Sequence, residues 1–112
     1  MSFVGRYPEH YLTRPPATSL IAWPLVGGTD PLSPADLSGS EPDDGYPLLL
    51  TDWIRRDGLK CLKIKLCGTD SRKDYRRLVR IGRIARDEDV EWLSPDFNCT
   101  VTDPAYVTDI LD

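Results

Sequence analysis

The chain has 112 residues, is 40% hydrophobic and 29% charged, and carries a net charge of −4. This length supports one small domain with a modest core. The negative balance argues against chain-wide attraction to nucleic acid or anionic membrane, and no apolar run reaches the roughly 18 residues of a membrane-crossing helix.

Residues 1–18, with Pro8, Pro15 and Pro16, predict an irregular, extended arm. His10 sits in this arm and is expected at the surface. Ser19 to Val26 is a short apolar run closed by the turn signal Gly27-Gly28, which predicts a first buried strand. Pro24 fits poorly there because it donates no ladder hydrogen bond. Residues 27–47 contain four prolines and several Asp and Ser residues, a long loop of a kind that is either functional or disordered.

Leu48 to Asp57 predicts a short helix with Leu49, Leu50, Trp53 and Ile54 on one face and Gly58 after its end. Leu59 to Leu66 predicts the second strand, ended by Cys67-Gly68. Its strict alternation sends Leu62, Ile64 and Leu66 to one face and Lys63 and Lys65 to the other. Asp70 or Ser71 is expected to cap a helix running to about Arg86, with Tyr75, Leu78, Val79, Gly82 and Ala85 facing the sheet. Val90 to Pro95 predicts the third strand. It continues into Asp96-Phe97-Asn98, with Ser94, Asp96 and Asn98 on the face opposite Leu93 and Phe97. Thr102 or Asp103 caps a last helix with Pro104 in its first turn.

Strand, helix and strand in this order predict a parallel pair and the α/β class. Lys63 and Lys65 then lie beside Asp96 at the C-terminal strand ends, an active-site position in α/β barrels. Two ammonium groups on one face repel, which favours a neutral amine, the form a general base requires. Asp96 and Asn98 offer hard oxygen ligands suited to Mg²⁺. Taken alone, Lys-x-Lys reads as a solvated strand face and Asp-x-Asn as a loop motif; their pairing gives them weight. Three cysteines, Cys61, Cys67 and Cys99, fit neither a closed disulfide set nor a zinc pattern. Reduced thiols and a cytoplasmic location are therefore expected.

Gly58-Leu59-Lys60-Cys61-Leu62-Lys63-Ile64-Lys65-Leu66 resembles the second barrel strand of the enolase superfamily, in its mandelate racemase and muconate-lactonizing branch. Leu93-Ser94-Pro95-Asp96-Phe97-Asn98 resembles the third. The resemblance implies a partial (β/α)8 TIM barrel over residues 19–112, its first three βα units, incomplete as a single chain because a whole barrel needs about 250 residues. By the resemblance, Lys65 is the base that takes the proton α to a substrate carboxylate and Lys63 its supporting lysine. Asp96 is a Mg²⁺ ligand and Asn98 a substrate contact. The reaction implied is a racemization, epimerization, cycloisomerization or dehydration through an enediolate. The other metal ligands and the opposing base would come from later strands, so this chain alone is expected to be inactive and to bind Mg²⁺ weakly or not at all.

Two other classes compete. A non-catalytic interaction module would cover its sheet edges by forming a homo-oligomer. A nucleic-acid binder would use the Arg-rich helix 71–86, where Arg72, Arg76, Arg80 and Arg83 share a face. The ordinary expectation for that face is solvation, interleaved with Asp70, Asp74, Asp87, Glu88 and Asp89. No glycine-rich phosphate motif follows Gly27-Gly28.

Overall fold

The computed structural model describes residues 4–12 and 15–112. Residues 1–3 and 13–14 of the expected arm lie outside the described residues. Within the arm, Pro8–Tyr11 forms a single 3-10 turn. The imidazole of His10 is exposed and accepts the Tyr7 N–H through Nδ1 at 2.8 Å.

Three strands, β1 (Leu25–Val26), β2 (Cys61–Lys65) and β3 (Trp92–Asp96), alternate with three helices, α1 (Leu50–Asp57), α2 (Ser71–Asp87) and α3 (Pro104–Leu111). The strands lie in the order β1-β2-β3, and both pairings are parallel. The α/β reading therefore describes the fold, but the partial TIM barrel over residues 19–112 does not. The sheet is open, β1 is only two residues long, and the face a closed barrel would turn inward meets solvent. Leu25 and Trp92 on that face are 55% and 60% exposed. The architecture is a small three-stranded parallel α/β unit.

The expected strand from Ser19 to Val26 shrinks to its last two residues. Pro24 has no N–H for the ladder, although its carbonyl accepts the Lys63 N–H at 2.9 Å. Leu20, Ile21 and Trp23 before it are exposed. The other elements fall near their expected positions. Gly58 ends α1 in the left-handed conformation at φ 61°, where a side chain is penalised. The carboxylate of Asp70 accepts the Lys73 N–H at the start of α2, and that of Asp103 accepts the Ala105 N–H at the start of α3.

The core occupies one face of the sheet. Val26, Leu62, Ile64 and Leu66 pack with Leu50 and Ile54 of α1, Ile81 of α2 and Leu32 of the long loop. Each fully buried aliphatic side chain contributes about 2 kcal/mol. The long loop is thus part of the packing. It forms a 3-10 turn at Pro34–Asp36, and Arg80 of α2 meets the Asp36 carboxylate at 2.6 Å. The guanidinium of Arg77 donates to the carbonyls of Gly27 and Asp30. Arg80 was expected on a solvated face; it is instead a fastening between loop and helix.

The inward face of α2 also differs from expectation. Tyr75 is exposed, whereas Asp74, expected in the solvated group, is 2% exposed. Its Oδ1 accepts the Cys67 N–H at 2.9 Å, and its Oδ2 accepts the Gly68 N–H and the Tyr106 hydroxyl, both at 2.8 Å. A buried carboxylate needs such donors. Burial pushes its pKa up, but the Cys67, Gly68 and Tyr106 hydrogen bonds outweigh this and hold it below the ordinary value. Burial and the Asp74 carboxylate push the Tyr106 hydroxyl up to about 12.

Replacing Asp74 by Ala strands three donors and is expected to cost about 3 kcal/mol or more in urea unfolding. Tyr106→Phe removes one donor and is expected to cost about 1 to 2 kcal/mol. At Gly68 the backbone is left-handed, φ 69°, and an added Cβ would sit 2.7 Å from the Phe97 carbonyl oxygen. Gly68→Ala is expected to destabilise the fold by about 1 to 3 kcal/mol, read from the same unfolding curves.

Candidate functional site

The register of β2 and β3 sets the site. Lys63 lies opposite Ser94, and Lys65 lies opposite Asp96. Partners in a parallel pair project to the same face, so the lysines and the carboxylate share the solvent side. Lys63 Nζ is 3.1 Å and Lys65 Nζ 3.4 Å from Asp96 Oδ2. The side chains of Lys63, Lys65 and Asp96 are 47%, 34% and 23% exposed, open enough for a small molecule to reach them.

Asn98 completes the cluster. It adopts the left-handed region at φ 55°, which Asn tolerates better than most side chains. Its N–H donates to Asp96 Oδ1 at 2.9 Å, and its amide Nδ2 donates to the Leu66 carbonyl at 2.7 Å. Its Oδ1 accepts from Lys65. One side chain therefore ties the ends of both strands and fixes the Lys65 amine. The structure brings together all four residues singled out from the sequence: Lys63, Lys65, Asp96 and Asn98.

The electrostatics differ from the simple expectation of two repelling ammonium groups. Asp96 bridges them, so attraction to a shared carboxylate offsets the repulsion. The Asn98 N–H, followed by the lysines, holds the Asp96 carboxyl down to about 2. A carboxylate or other oxyanion arriving here would find two cations sharing one counter-ion, and would compete with Asp96 for them.

Mg²⁺ does not fit these residues on their own. Asp96 Oδ1 is taken by the Asn98 N–H, and Oδ2 is contacted by two cations that would repel a divalent ion. Magnesium keeps its water unless several carboxylates and a substrate converge on it.

Behind the cluster lies a feature with little local signal. Asp74, Lys73 and Arg77 of α2 approach Lys65 and Asn98 around a cavity of about 250 Å³. The available signal was an acidic residue in the first turn of a helix following a strand-ending glycine, where it can reach free backbone N–H groups. The charge run around it made Asp74 look like one more solvated residue.

The lowered Asp96 pKa has a defined pH consequence. Its ionised form is favoured in the folded state, so its contribution is present above the ordinary carboxylate value of 3.8 and is lost as pH falls through about 2. Unfolding curves of wild type and Asp96→Asn are expected to differ most above pH 4 and to converge towards pH 2. A gap unchanged over that range would contradict the bridge.

Comparison of the chain with protein-family models, curated proteins and solved structures finds no match.

Proposed function

We propose that the chain is a piece of the carboxylate-enolizing machinery of the enolase superfamily, and that it handles a small carboxylate at the Lys63–Asp96–Lys65 cluster. The observation that carries this is the meeting of two separately encoded motifs at the same end of adjacent parallel strands. Lys65 has the role of base: its neutral amine takes the proton α to the carboxylate and becomes the ammonium. Lys63 neutralises the substrate's charge, and Asn98 orients Lys65 and contacts substrate. The overall reaction belongs to the racemase, epimerase, cycloisomerase or dehydratase kind. The chain by itself is inactive in this proposal, because Asp96 is committed to the Asn98 N–H and the two lysines.

The compartment proposed is the cytoplasm. Cys61, Cys67 and Cys99 are free thiols, which suits a reducing environment. No helix among the described residues is long and apolar enough to cross a membrane. Small anions are proposed as ligands in preference to nucleic acid, because Arg80, one of the four arginines on the helix face, is turned to the long loop.

A second reading has its own support. Leu25 and Trp92 are exposed on the charged face, and β1 and β3 are both outer strands. These features favour a homo-oligomerising interaction module that covers its sheet edges.

The test combines binding with turnover. Titration with a panel of 2-hydroxycarboxylates is expected to shift the Cε–Hε signals of Lys63 and Lys65 saturably, and Lys65→Ala is expected to abolish the effect. In D₂O with Mg²⁺, α-proton exchange is expected to stay at the protein-free rate. Exchange that depends on both Lys65 and Asp96 would overturn the inactivity. Failure of any carboxylate to bind would overturn the enzymatic reading, and a concentration-dependent dimer would then support the module.

A further inference from the structure

The cavity behind the cluster carries charges that the proposed reaction does not use. It is about 250 Å³ in volume and is lined by Gly28, Lys65, Lys73, Asp74, Arg77 and Asn98, among others. Three of these are cationic and one is a carboxylate. Asp74 spends its oxygens on the Cys67 and Gly68 N–H groups and the Tyr106 hydroxyl. It therefore does not pair with the cations beside it.

Arg77 is the unusual member. It donates to the Gly27 and Asp30 carbonyls, which are neutral acceptors, and its Nε is buried with no hydrogen-bond partner. Desolvation disfavours its charged form. The Asp30 carboxylate acts on it electrostatically but is itself engaged with the Gly27 N–H at 2.6 Å. Among the described residues Lys73 forms no ion pair, and its exposed ammonium lies on the same wall. A partly buried guanidinium without a carboxylate in contact is costly unless an anion joins it.

The loop opposite contributes shape. Gly28 stands where β1 has just ended, and a Cβ there would come no nearer than 3.8 Å to the Lys65 carbonyl. The cavity thus lies at the C-terminal ends of β1 and β2.

We propose that this cavity binds a small oxyanionic group, phosphate or carboxylate, held by Lys73 and Arg77. Lys65 stands between the cavity and the Asp96 cluster. The substrate class that follows is a carboxylate bearing a second anionic group: one end meets Lys63 and Lys65, the other meets Lys73 and Arg77. This substrate assignment rests on the proposed carboxylate chemistry, whereas the cavity's preference for an oxyanion does not.

The full chain is titrated with inorganic phosphate and, separately, with acetate, and the Arg77 Nε–H and Lys73 Cε–Hε signals are followed by NMR. Saturable shifts of both are expected, with affinity about tenfold weaker in Lys73→Gln. Lys73 is exposed and is used by its backbone alone in the cap of α2, so this variant is expected to fold normally. Arg83→Gln, at an exposed residue of α2 that does not line the cavity, is expected to leave phosphate binding unchanged. Stronger binding of phosphate assigns a phosphate group to the site, and stronger binding of acetate assigns a carboxylate. Binding of neither, or shifts that Lys73→Gln leaves unaltered, would overturn the site. Shifts at Lys73 and Arg77 without any carboxylate effect at Lys63 would keep the oxyanion site while removing the enolization reading.

Discussion

The buried carboxylate of Asp74 is the constraint on which the remaining geometry depends. It gathers the turn after β2, the first turn of α2 and the side chain of Tyr106 on α3 around one negative charge. Tyr106 in turn packs edge-to-face on Phe97, with ring centroids 6.0 Å apart. Phe97 lies between Asp96 and Asn98, so the order imposed by Asp74 reaches the end of β3 through two contacts. Without those donors the carboxylate would be an uncompensated buried charge, and the turn that follows Lys65 would have no fixed path.

The strand ends inherit this order. The Leu66 N–H donates to the Asp96 carbonyl at 2.9 Å, closing the ladder just where the charged side chains project. Asn98 then locks the two ends with its own amide. The left-handed backbone of Asn98 continues into Cys99 at φ 57°, a conformation unfavourable for Cys. Strain of this kind persists only where the surrounding contacts impose it. The cluster is therefore built on regular strands and held by a tight turn, an arrangement that limits how far Lys65 can wander from Asp96.

Alternation and capping are local signals, and they made much of this legible in the sequence. Leu62, Ile64 and Leu66 are buried and Lys63 and Lys65 are not, as the period of two requires. Asp70, Asp103 and Gly58 end their helices as their chemistry predicts. The meeting of Lys65 with Asp96 was also within reach, because a strand-helix-strand unit leaves few other arrangements. One miss is local and the others are tertiary. An apolar run before Pro24 looked like a strand, yet a missing N–H confines β1 to two residues. Asp74 looked like surface charge because nothing in its neighbours reveals that two backbone N–H groups and a hydroxyl converge on it. The barrel was carried by resemblance, and the open sheet with an exposed charged face replaces it.

The proposed function requires that Asp96 be an ionised counter-ion shared by Lys63 and Lys65. The most direct measurement is the pH titration of the Asp96 side-chain carboxyl carbon by NMR, in wild type and in Lys63→Ala. A midpoint of about 2 is expected in wild type, moving upward when Lys63 is removed. A midpoint at the ordinary value of 3.8, indifferent to Lys63, would show that the strand ends do not form the cluster, and the carboxylate site would fall with it.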